Sequence, residues 1–274
     1  MLGQDLAPRL APHHEVLPVD LPEVDITDPD AIGSSVEAGK PDVVIHAAAF
    51  TAVDDCERQP QRAFLVNSAG TQNVALACRR FDVPMLYIST DYVFDGEKDG
   101  PYLENDEPNP LNIYGRSKLE GECHVRELLS RFWIVRTSWL FGPLGKNFVQ
   151  TILERGKAGE SLRVVDDQIG APTYTVDLAA KLLEVVERGE PGVYHITNQG
   201  YCSWFEFSKE IARQAGLGES KISPIPTSGS DRPARRPRNS RLANARLESE
   251  GLGLLPPWSD ALARYLAREA QGRA

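Results

Sequence analysis

A tyrosine and a lysine stand four positions apart in the segment Tyr114–Lys118. On a helix this spacing places both side chains on one face, about 5 to 6 Å apart. A nearby ammonium group favours the phenolate, and so lowers the pKa of a tyrosine from about 10 towards the working range. The pair is a candidate proton donor, but the pattern alone is weak because it also arises by chance.

A hydroxyl side chain ends the strand predicted at Val83–Thr90, which precedes Tyr114 in the sequence. Ligands of open parallel sheets bind beyond the carboxyl ends of the strands, so Thr90 should face the same crevice as Tyr114. The strand before it ends in Ala47–Ala49, where the side chains are small enough for a flat ligand to lie against the backbone. Tight packing of a helix is the alternative explanation for these alanines.

The elements that must position these residues alternate between buried strands and helices in the first half of the chain, which is typical of βαβ units. The pattern predicts an α/β fold with a doubly wound, mostly parallel sheet. The second half is more irregular. Strands are predicted at 14–20, 41–48, 83–90 and 132–137, and the clearest helix at 61–80.

The composition is that of an ordinary globular protein, with 274 residues, 41% hydrophobic and 25% charged. The net charge of −9 argues against nucleic-acid or anionic-membrane partners. The sequence has no long apolar run and no apolar core of a signal peptide near its start, so we expect a cytoplasmic protein. The four cysteines are widely spaced, so no metal site is predicted.

Six segments resemble the dTDP-4-dehydrorhamnose reductase family, a branch of the extended short-chain dehydrogenases. They occur in the same order and span nearly the whole chain: Ala47–Asp54, Ser89–Gly96, Tyr114–Lys118, Arg136–Trp139, Asp167–Thr173 and Arg236–Ser240. The resemblance implies a Rossmann-like dinucleotide-binding domain and a smaller C-terminal substrate-binding domain. We assign residues 1–145 and 172–198 to the first, and 146–171 and 199–274 to the second.

The resemblance also implies a reaction and a catalytic triad of Thr90, Tyr114 and Lys118. In the family, a nicotinamide delivers a hydride to the C4 carbonyl of dTDP-4-dehydrorhamnose, which gives dTDP-rhamnose, a precursor of cell-surface polysaccharides. Tyr114 would give the proton and Thr90 would hydrogen-bond to the developing alkoxide. Lys118 would tune Tyr114.

Four further residues match substrate-binding positions of the family. Asp91, Tyr92 and Trp139 would line the sugar pocket, and Arg236 would approach the nucleotide phosphates. An aromatic wall suits a sugar, and a guanidinium suits a diphosphate. The alternatives are core packing for Trp139 and a solvated loop for the arginine-rich segment around Arg236.

The predicted cofactor is NADH or NADPH, with a mild preference for NADH. Asp20, at the end of the second predicted strand, is the acid expected on the adenine ribose, and no arginine follows it to hold a 2′-phosphate. A turn-forming role is the alternative for Asp20. The complete set of predicted cofactor residues is Leu2, Gly3, Asp20, Asp25, Ile26, Ala47, Ala48, Ala49, Thr51, Tyr114 and Lys118.

The sequence departs from the family at its beginning. The family starts with a strand and a GxxGxxG turn that brings the pyrophosphate to a helix N-terminus, but here only the last glycine, Gly3, has a counterpart. A missing central strand would leave ladder groups unpaired at about 1 to 3 kcal/mol each. We therefore favour a start upstream of Met1 over a divergent form, and expect the chain as written to bind dinucleotides poorly.

Two other functions stay open at this stage. One is a related sugar-nucleotide epimerase or dehydratase. The other is a non-catalytic nucleotide-binding subunit resembling the regulatory subunit of methionine adenosyltransferase. The intact Thr90, Tyr114 and Lys118 favour an enzyme, whereas the missing phosphate loop favours the binding subunit. A homodimer is a further expectation; the sequence does not determine the hexose or a Mg²⁺ requirement.

Overall fold

The computed structural model describes residues 1–271. The α-helices are α1 (Leu2–Leu10), α2 (Pro29–Gly39), α3 (Val53–Arg58), α4 (Pro60–Phe64), α5 (Thr71–Arg80), α6 (Ile113–Leu128), α7 (Phe148–Lys157), α8 (Thr175–Arg188), α9 (Trp204–Gln214), α10 (Ala245–Ser249) and α11 (Trp258–Gln271). The strands are β1 (Val44–His46), β2 (Met85–Thr90), β3 (Phe132–Thr137), β4 (Leu140–Phe141), β5 (Leu162–Val165), β6 (Ile169–Gly170), β7 (Thr173–Tyr174), β8 (Gly192–His195), β9 (Cys202–Ser203) and β10 (Ile222–Ile225).

The main sheet has the strand order β1-β2-β3-β8, and all of its pairs are parallel. Strands β2 and β3 are paired along their whole length, from Met85 opposite Phe132 to Thr90 opposite Thr137. Every residue of β2 is buried, as expected of a strand covered on both faces. The predicted α/β fold with a parallel sheet is confirmed.

Helices cover both faces of this sheet, because successive side chains of a strand point to opposite sides. Leu86 and Ile88 pack with helices α1 and α8, where Leu182 is fully buried. Met85 and Tyr87 face the other way and pack with helices α2, α5 and α6. Burying a leucine or isoleucine fully contributes roughly 1.5 to 3 kcal/mol, so these two layers hold the sheet edge that carries the candidate site.

A third core lies among helices α7, α9 and α11 and the parallel pair β5 and β10. Helix α9 begins with a capping box, in which Ser203 and Glu206 each accept a hydrogen bond from the other's backbone N–H. Phe141 and Tyr174 also pack in this core, although both lie outside the ranges predicted for the second domain. The exact division into domains stays a prediction.

The strand predicted at residues 14–20 is wrong: the segment is irregular and largely exposed, with Leu17 54% and Val19 57% accessible. A strand is held by pairing with a neighbour. Within residues 1–271, β1 pairs only with β2, and the segment 14–20 pairs with no strand of the sheet.

The helix predicted at 61–80 is present but interrupted. A π-helical turn at Leu65–Gly70 separates α4 from α5. In this wider turn the Asn67 amide binds the backbone N–H and C=O of Phe50, at 2.7 and 3.0 Å, and the hydroxyl of Ser117 at 3.0 Å. Such turns are frequent near functional sites, and this one ties the segment after β1 to helix α6.

Candidate active site

Thr90 and Asp91 lie at the carboxyl end of β2, where a short 3₁₀ turn begins. The Thr90 hydroxyl caps this turn by accepting a hydrogen bond from the Tyr92 N–H at 3.2 Å. The same hydroxyl donates to Asp91 Oδ1 at 3.0 Å. Both side chains are buried, so the end of the strand presents a preorganised pair of polar groups.

Helix α6 brings Tyr114 to this turn. The Asn112 side chain caps the helix by accepting from the Gly115 N–H at 2.8 Å. A Cβ at Gly115 would lie only 2.1 Å from the carbonyl oxygen of Tyr92, so glycine is required where the helix meets the turn. As a result the rings of Tyr92 and Tyr114 are in edge contact, with centroids 6.1 Å apart.

The Tyr114 hydroxyl group keeps its proton in this environment. Burial raises the pKa of Tyr114, and the nearby Thr90 hydroxyl only partly opposes the shift. The lowering expected from the neighbouring lysine is therefore wrong, because desolvation by burial is the largest effect on the pKa of this phenol. A tyrosine that is protonated at neutral pH is in the correct state to act as a general acid.

Lys118 lies one helical turn beyond Tyr114 and is 2% exposed. Its Nζ atom is 4.1 Å from the centroid of the Tyr87 ring, a cation–π contact. Burial lowers the pKa of Lys118 to about 7, against the opposing charge of Glu122. No hydrogen bond joins this ammonium group to an acceptor in residues 1–271, which makes it a buried donor ready for a ligand oxygen.

Beneath the site, Glu122 and Arg136 form a buried ion pair that links helix α6 to strand β3. Arg136 donates to the two carboxylate oxygens of Glu122 at 2.9 and 2.7 Å, and Ser89 donates to the same carboxylate at 2.6 Å. Burial acts to raise the pKa of Glu122, but Arg136, Ser89 and Arg126 together outweigh it, and the pKa lies below its ordinary value. The pair fixes the helix that carries Tyr114 and Lys118.

Arg236 reaches the site from the C-terminal tail. Its guanidinium donates to both carboxylate oxygens of Asp54, at 3.1 and 2.9 Å. The Asp54 side chain lies just after the alanine segment that follows β1, and Arg236 also acts electrostatically on the Tyr92 hydroxyl. The alternative explanation, a solvated loop, does not hold for Arg236: its side chain is largely buried, and residues 234–240 form a folded strap that holds it against the crevice.

Trp139 follows β3 in a left-handed backbone conformation, with φ of 48°. Its ring stacks on Trp204 with centroids 3.6 Å apart and an interplanar angle of 10°. A Cβ at Gly170 would lie 2.6 Å from the Trp139 indole, so the ring also packs on that glycine. Trp139 is half-buried and fixed by the third core, and the face that meets Trp204 is not available to a sugar.

The sequence profile of the RmlD substrate binding domain family matches residues 1–271. The chain is 40% identical over 275 residues to a dTDP-4-dehydrorhamnose reductase of Aggregatibacter actinomycetemcomitans, covering 95% of this chain and 93% of that protein. It is 39% identical over 266 residues to the spore coat polysaccharide biosynthesis protein SpsK of Bacillus subtilis, covering 97% and 93%. The chain belongs to the dTDP-4-dehydrorhamnose reductase family.

A solved structure agrees with this membership. The dTDP-4-dehydrorhamnose reductase of Bacillus anthracis, crystallised with NADP, superposes with a TM-score of 0.95. It is 38% identical to the present chain, and the match covers 97% of this chain and 95% of that one. The family resemblance inferred from the six segments is confirmed.

The predicted cofactor residues of this family member divide into two groups. Ala47, Ala48, Ala49 and Thr51 follow β1 beside the site, and Ala48 and Thr51 are exposed. The other group is more distant from the site chemistry: Leu2 is buried in a hydrophobic core, Gly3 is exposed on α1, and Asp20, Asp25 and Ile26 lie in the irregular segment before α2.

Asp20 and Asp25 act as local turn residues in this reductase-family chain. Asp20 is exposed and its Oδ1 accepts from the Leu21 N–H at 2.8 Å. Asp25 accepts from both the N–H and the hydroxyl of Thr27, and these bonds lower its pKa. Both carboxylates are accessible, but no strand holds either of them at a sheet edge.

Sequence reasoning missed three side chains that shape the site: Asp54, Glu122 and Trp204. Asp54 was part of a matched segment but had no assigned role. Glu122 stands four residues after Lys118, so the helical spacing that paired Tyr114 with Lys118 could have found it. The stacking of Trp204 on Trp139 joins distant segments, and no local pattern reports it.

No group of three or more histidine, cysteine, aspartate or glutamate side chains in residues 1–271 could hold a metal ion. Within the same range, no helix combines the length and apolar character needed to cross a membrane.

Proposed function

We propose that this protein reduces the C4 keto group of a dTDP-linked 6-deoxyhexose, converting dTDP-4-dehydrorhamnose to dTDP-rhamnose. The observation that carries the proposal is the convergence of Thr90, Tyr114 and Lys118 beyond the carboxyl end of β2. Proteins named as this reductase are 40% identical over nearly the whole chain, which supports the same reaction.

The chemistry assigns one task to each of the three side chains. Tyr114, whose pKa is raised by burial, gives its proton to the developing alkoxide oxygen. Thr90 donates a hydrogen bond to the same oxygen and stabilises its charge in a site of low polarity. The cationic form of Lys118 lies on the same helix face as Tyr114 and favours the phenolate that remains after proton transfer.

The residues around Lys118 suit a reduced nicotinamide cofactor. The cofactor supplies the hydride when it is bound. The Lys118 ammonium, buried with an aromatic ring as its neighbour and without a hydrogen-bond acceptor in residues 1–271, fits a ribose hydroxyl. The short side chains of Ala47–Ala49 leave room for a flat ring against the backbone at the end of β1.

The choice between NADH and NADPH is part of this proposal, with a mild preference for NADH. Asp20 is accessible and carries a negative charge that would repel a 2′-phosphate. The reductase of Bacillus anthracis was crystallised with NADP, which supports a nicotinamide dinucleotide in either form.

Arg236 and Tyr92 are proposed to bind the sugar nucleotide. The guanidinium of Arg236 is held against the crevice by Asp54, whose pKa lies below its ordinary value because hydrogen bonds from the strap outweigh its burial. A diphosphate must share or replace Asp54 as the partner of this guanidinium. Tyr92, in edge contact with Tyr114, offers a ring beside the reacting carbon.

The test is an absorbance assay of nicotinamide oxidation at millimolar cofactor with dTDP-4-dehydrorhamnose as the substrate. The proposal predicts oxidation that depends on the sugar nucleotide and on Tyr114. UDP-glucose and dTDP-glucose serve as control substrates for epimerase and dehydratase chemistry. Turnover of a control substrate without net nicotinamide oxidation would assign the protein to those classes instead.

The same assay distinguishes a reductase from a non-catalytic nucleotide-binding subunit. Such a subunit would bind nucleotide without any turnover, and raising the cofactor concentration would not change that result. A homodimer and a cytoplasmic location stay predictions, which sedimentation analysis and fractionation of the producing cells can test.

A further inference from the structure

The hydrogen-bond directions at the Thr90 hydroxyl conflict with its proposed role as a donor to the substrate oxygen. A hydroxyl carries one proton and accepts two hydrogen bonds. In the structure Thr90 Oγ1 accepts from the Tyr92 N–H at 3.2 Å and gives its only proton to Asp91 Oδ1 at 3.0 Å. With its proton directed at Asp91, the hydroxyl has none left for a substrate oxygen.

The Asp91 carboxyl group is itself poorly placed to carry a charge. It is 3% exposed, and its Oδ2 atom has no hydrogen-bond partner among residues 1–271. A buried carboxylate with an unpaired oxygen is costly, whereas the neutral acid loses most of that cost.

We propose that Asp91 is a positioning residue that holds a proton in the active state and donates it to Thr90 Oγ1. The hydroxyl then accepts two hydrogen bonds, from Asp91 and from the Tyr92 N–H, and its own proton points to the substrate oxygen. No proton is transferred along this chain, because Tyr114 supplies the one that the alkoxide takes. The inference rests on the proposed reduction, and it adds a switch that reverses when Asp91 ionises.

The groups around Asp91 are consistent with a neutral acid near neutral pH. Burial raises the pKa of Asp91 to about 7, and the nearby hydroxyls of Ser240 and Thr90 and the backbone N–H groups of the turn only partly oppose it. The titratable groups facing it are Tyr92 on its own turn and Tyr114 from α6. Burial raises the pKa of both phenols, so neither changes charge in the range where Asp91 does.

The sign of the effect follows from the direction of these hydrogen bonds. Below the pKa of Asp91, the acid donates to Thr90 and the hydroxyl is free to donate to the substrate. Above it, the carboxylate captures the Thr90 proton and turnover falls. Lys118 titrates in the same range, so the wild-type profile contains two contributions that a single variant must separate.

The experiment compares the pH dependence of kcat for the wild-type chain and Asp91→Asn, whose amide donates to Thr90 at every pH. We expect a ratio of variant to wild-type turnover that rises about tenfold from pH 5.5 to pH 8.5, since one lost charge-assisted hydrogen bond corresponds to roughly that factor. Asp99→Asn, an exposed aspartate nearby, is the matched control and should show a constant ratio.

A purely structural role of Asp91 would give a ratio that does not change with pH, and that result would overturn the proposal. A double variant tests whether Asp91 acts through the Thr90 hydroxyl. In a Thr90→Val background the Asp91→Asn substitution should lose its pH-dependent effect, because the hydroxyl that it orients is absent. Persistence of the effect in that background would also contradict the assignment.

Infrared titration of the unchanged chain tests the proton directly and needs neither variant folding nor turnover. Aspartates labelled with ¹³C should show one protonated carboxyl near pH 6, because the other aspartates with shifted pKa values are shifted downwards. A fully ionised spectrum at pH 6 would refute the inference. Absence of turnover together with a protonated carboxyl would refute the proposed function instead.

Discussion

The proposed sugar side of the crevice and the proposed adenine side are built very differently. Around Thr90 and Tyr114, side chains from β2, β3, α6 and the C-terminal tail interlock through buried hydrogen bonds and one buried ion pair. Around Asp20, residues 14–25 are exposed and irregular, and their carboxylates bind only neighbours in the sequence. The first region is fixed by long-range contacts, whereas the second depends on local turns.

Under the proposed function, the groups for chemistry and the groups for cofactor affinity are therefore positioned by different kinds of contact. The reacting groups are anchored by packing that the ligand does not have to supply. The adenine side has little preorganisation, so binding there must offset the cost of ordering the segment.

Replacing the proton donor should have the largest effect on activity. Tyr114→Phe removes a proton used in the transition state and little ground-state contact, so kcat should fall about 10²- to 10⁴-fold while KM changes little. Steady-state kinetics with dTDP-4-dehydrorhamnose measures both. Tyr201→Phe, which loses only a hydroxyl bonded to a backbone carbonyl, is the control. Near wild-type turnover of Tyr114→Phe would remove Tyr114 from its role.

Breaking the buried ion pair should have the largest effect on stability. Glu122→Gln leaves Arg136 buried without a counter-charge, so the free energy of unfolding should fall by about 3 to 5 kcal/mol. Urea denaturation followed by fluorescence measures the change. Glu127→Gln, an exposed glutamate on the same helix, should lie within about 0.5 kcal/mol of wild type. Equal stability of the two variants would mean that the pair does not anchor α6.

Removing the strap arginine should have an intermediate effect on binding. Arg236→Ala should weaken the binding of the diphosphate-linked sugar by about 10- to 100-fold, which is the contribution of a charge-assisted hydrogen bond to phosphate. The loss of affinity should shrink as the salt concentration rises. Calorimetric titration against a free keto sugar separates phosphate binding from sugar binding. Arg235→Ala, whose side chain is exposed, is the control. Equal losses for both ligands would place Arg236 outside the phosphate site.

The adenine side should show the smallest effect. Asp20→Asn should weaken the binding of NADH by about 2- to 10-fold, because one exposed hydrogen bond contributes about 0.5 to 1.5 kcal/mol. The affinity for NADPH should be unchanged or slightly higher. The measurement is competition binding with both dinucleotides, with the exposed Asp42→Asn as control. A loss of a hundredfold or more would show that this region is as preorganised as the sugar side.

The sequence predicted those parts of the fold that depend on local pattern and buried strands. Val83–Thr90 and Phe132–Thr137 are continuous apolar runs, and both form central strands of the sheet. The segment 14–20 contains only a short apolar stretch, interrupted by a proline, and it forms no strand, because strand formation depends on a pairing neighbour as well as on composition.

The candidate site was predictable to a similar degree. The i, i+4 spacing brings Tyr114 and Lys118 onto one helix, as expected. The pKa direction of Tyr114 was not predictable, since it depends on burial by residues distant in the sequence. The pairing of Arg236 with Asp54, 182 positions apart, likewise exists only in the folded chain.

The most direct test of the central claim is the transfer of a labelled hydride. The chain is mixed with dTDP-4-dehydrorhamnose and a reduced nicotinamide carrying deuterium at the transferable position, and the sugar product is analysed by mass spectrometry and NMR. The account predicts dTDP-rhamnose with deuterium at C4 of the hexose, formed by the wild-type chain and almost absent with Tyr114→Phe. Unlabelled product, or no sugar-dependent oxidation of the nicotinamide, would contradict it.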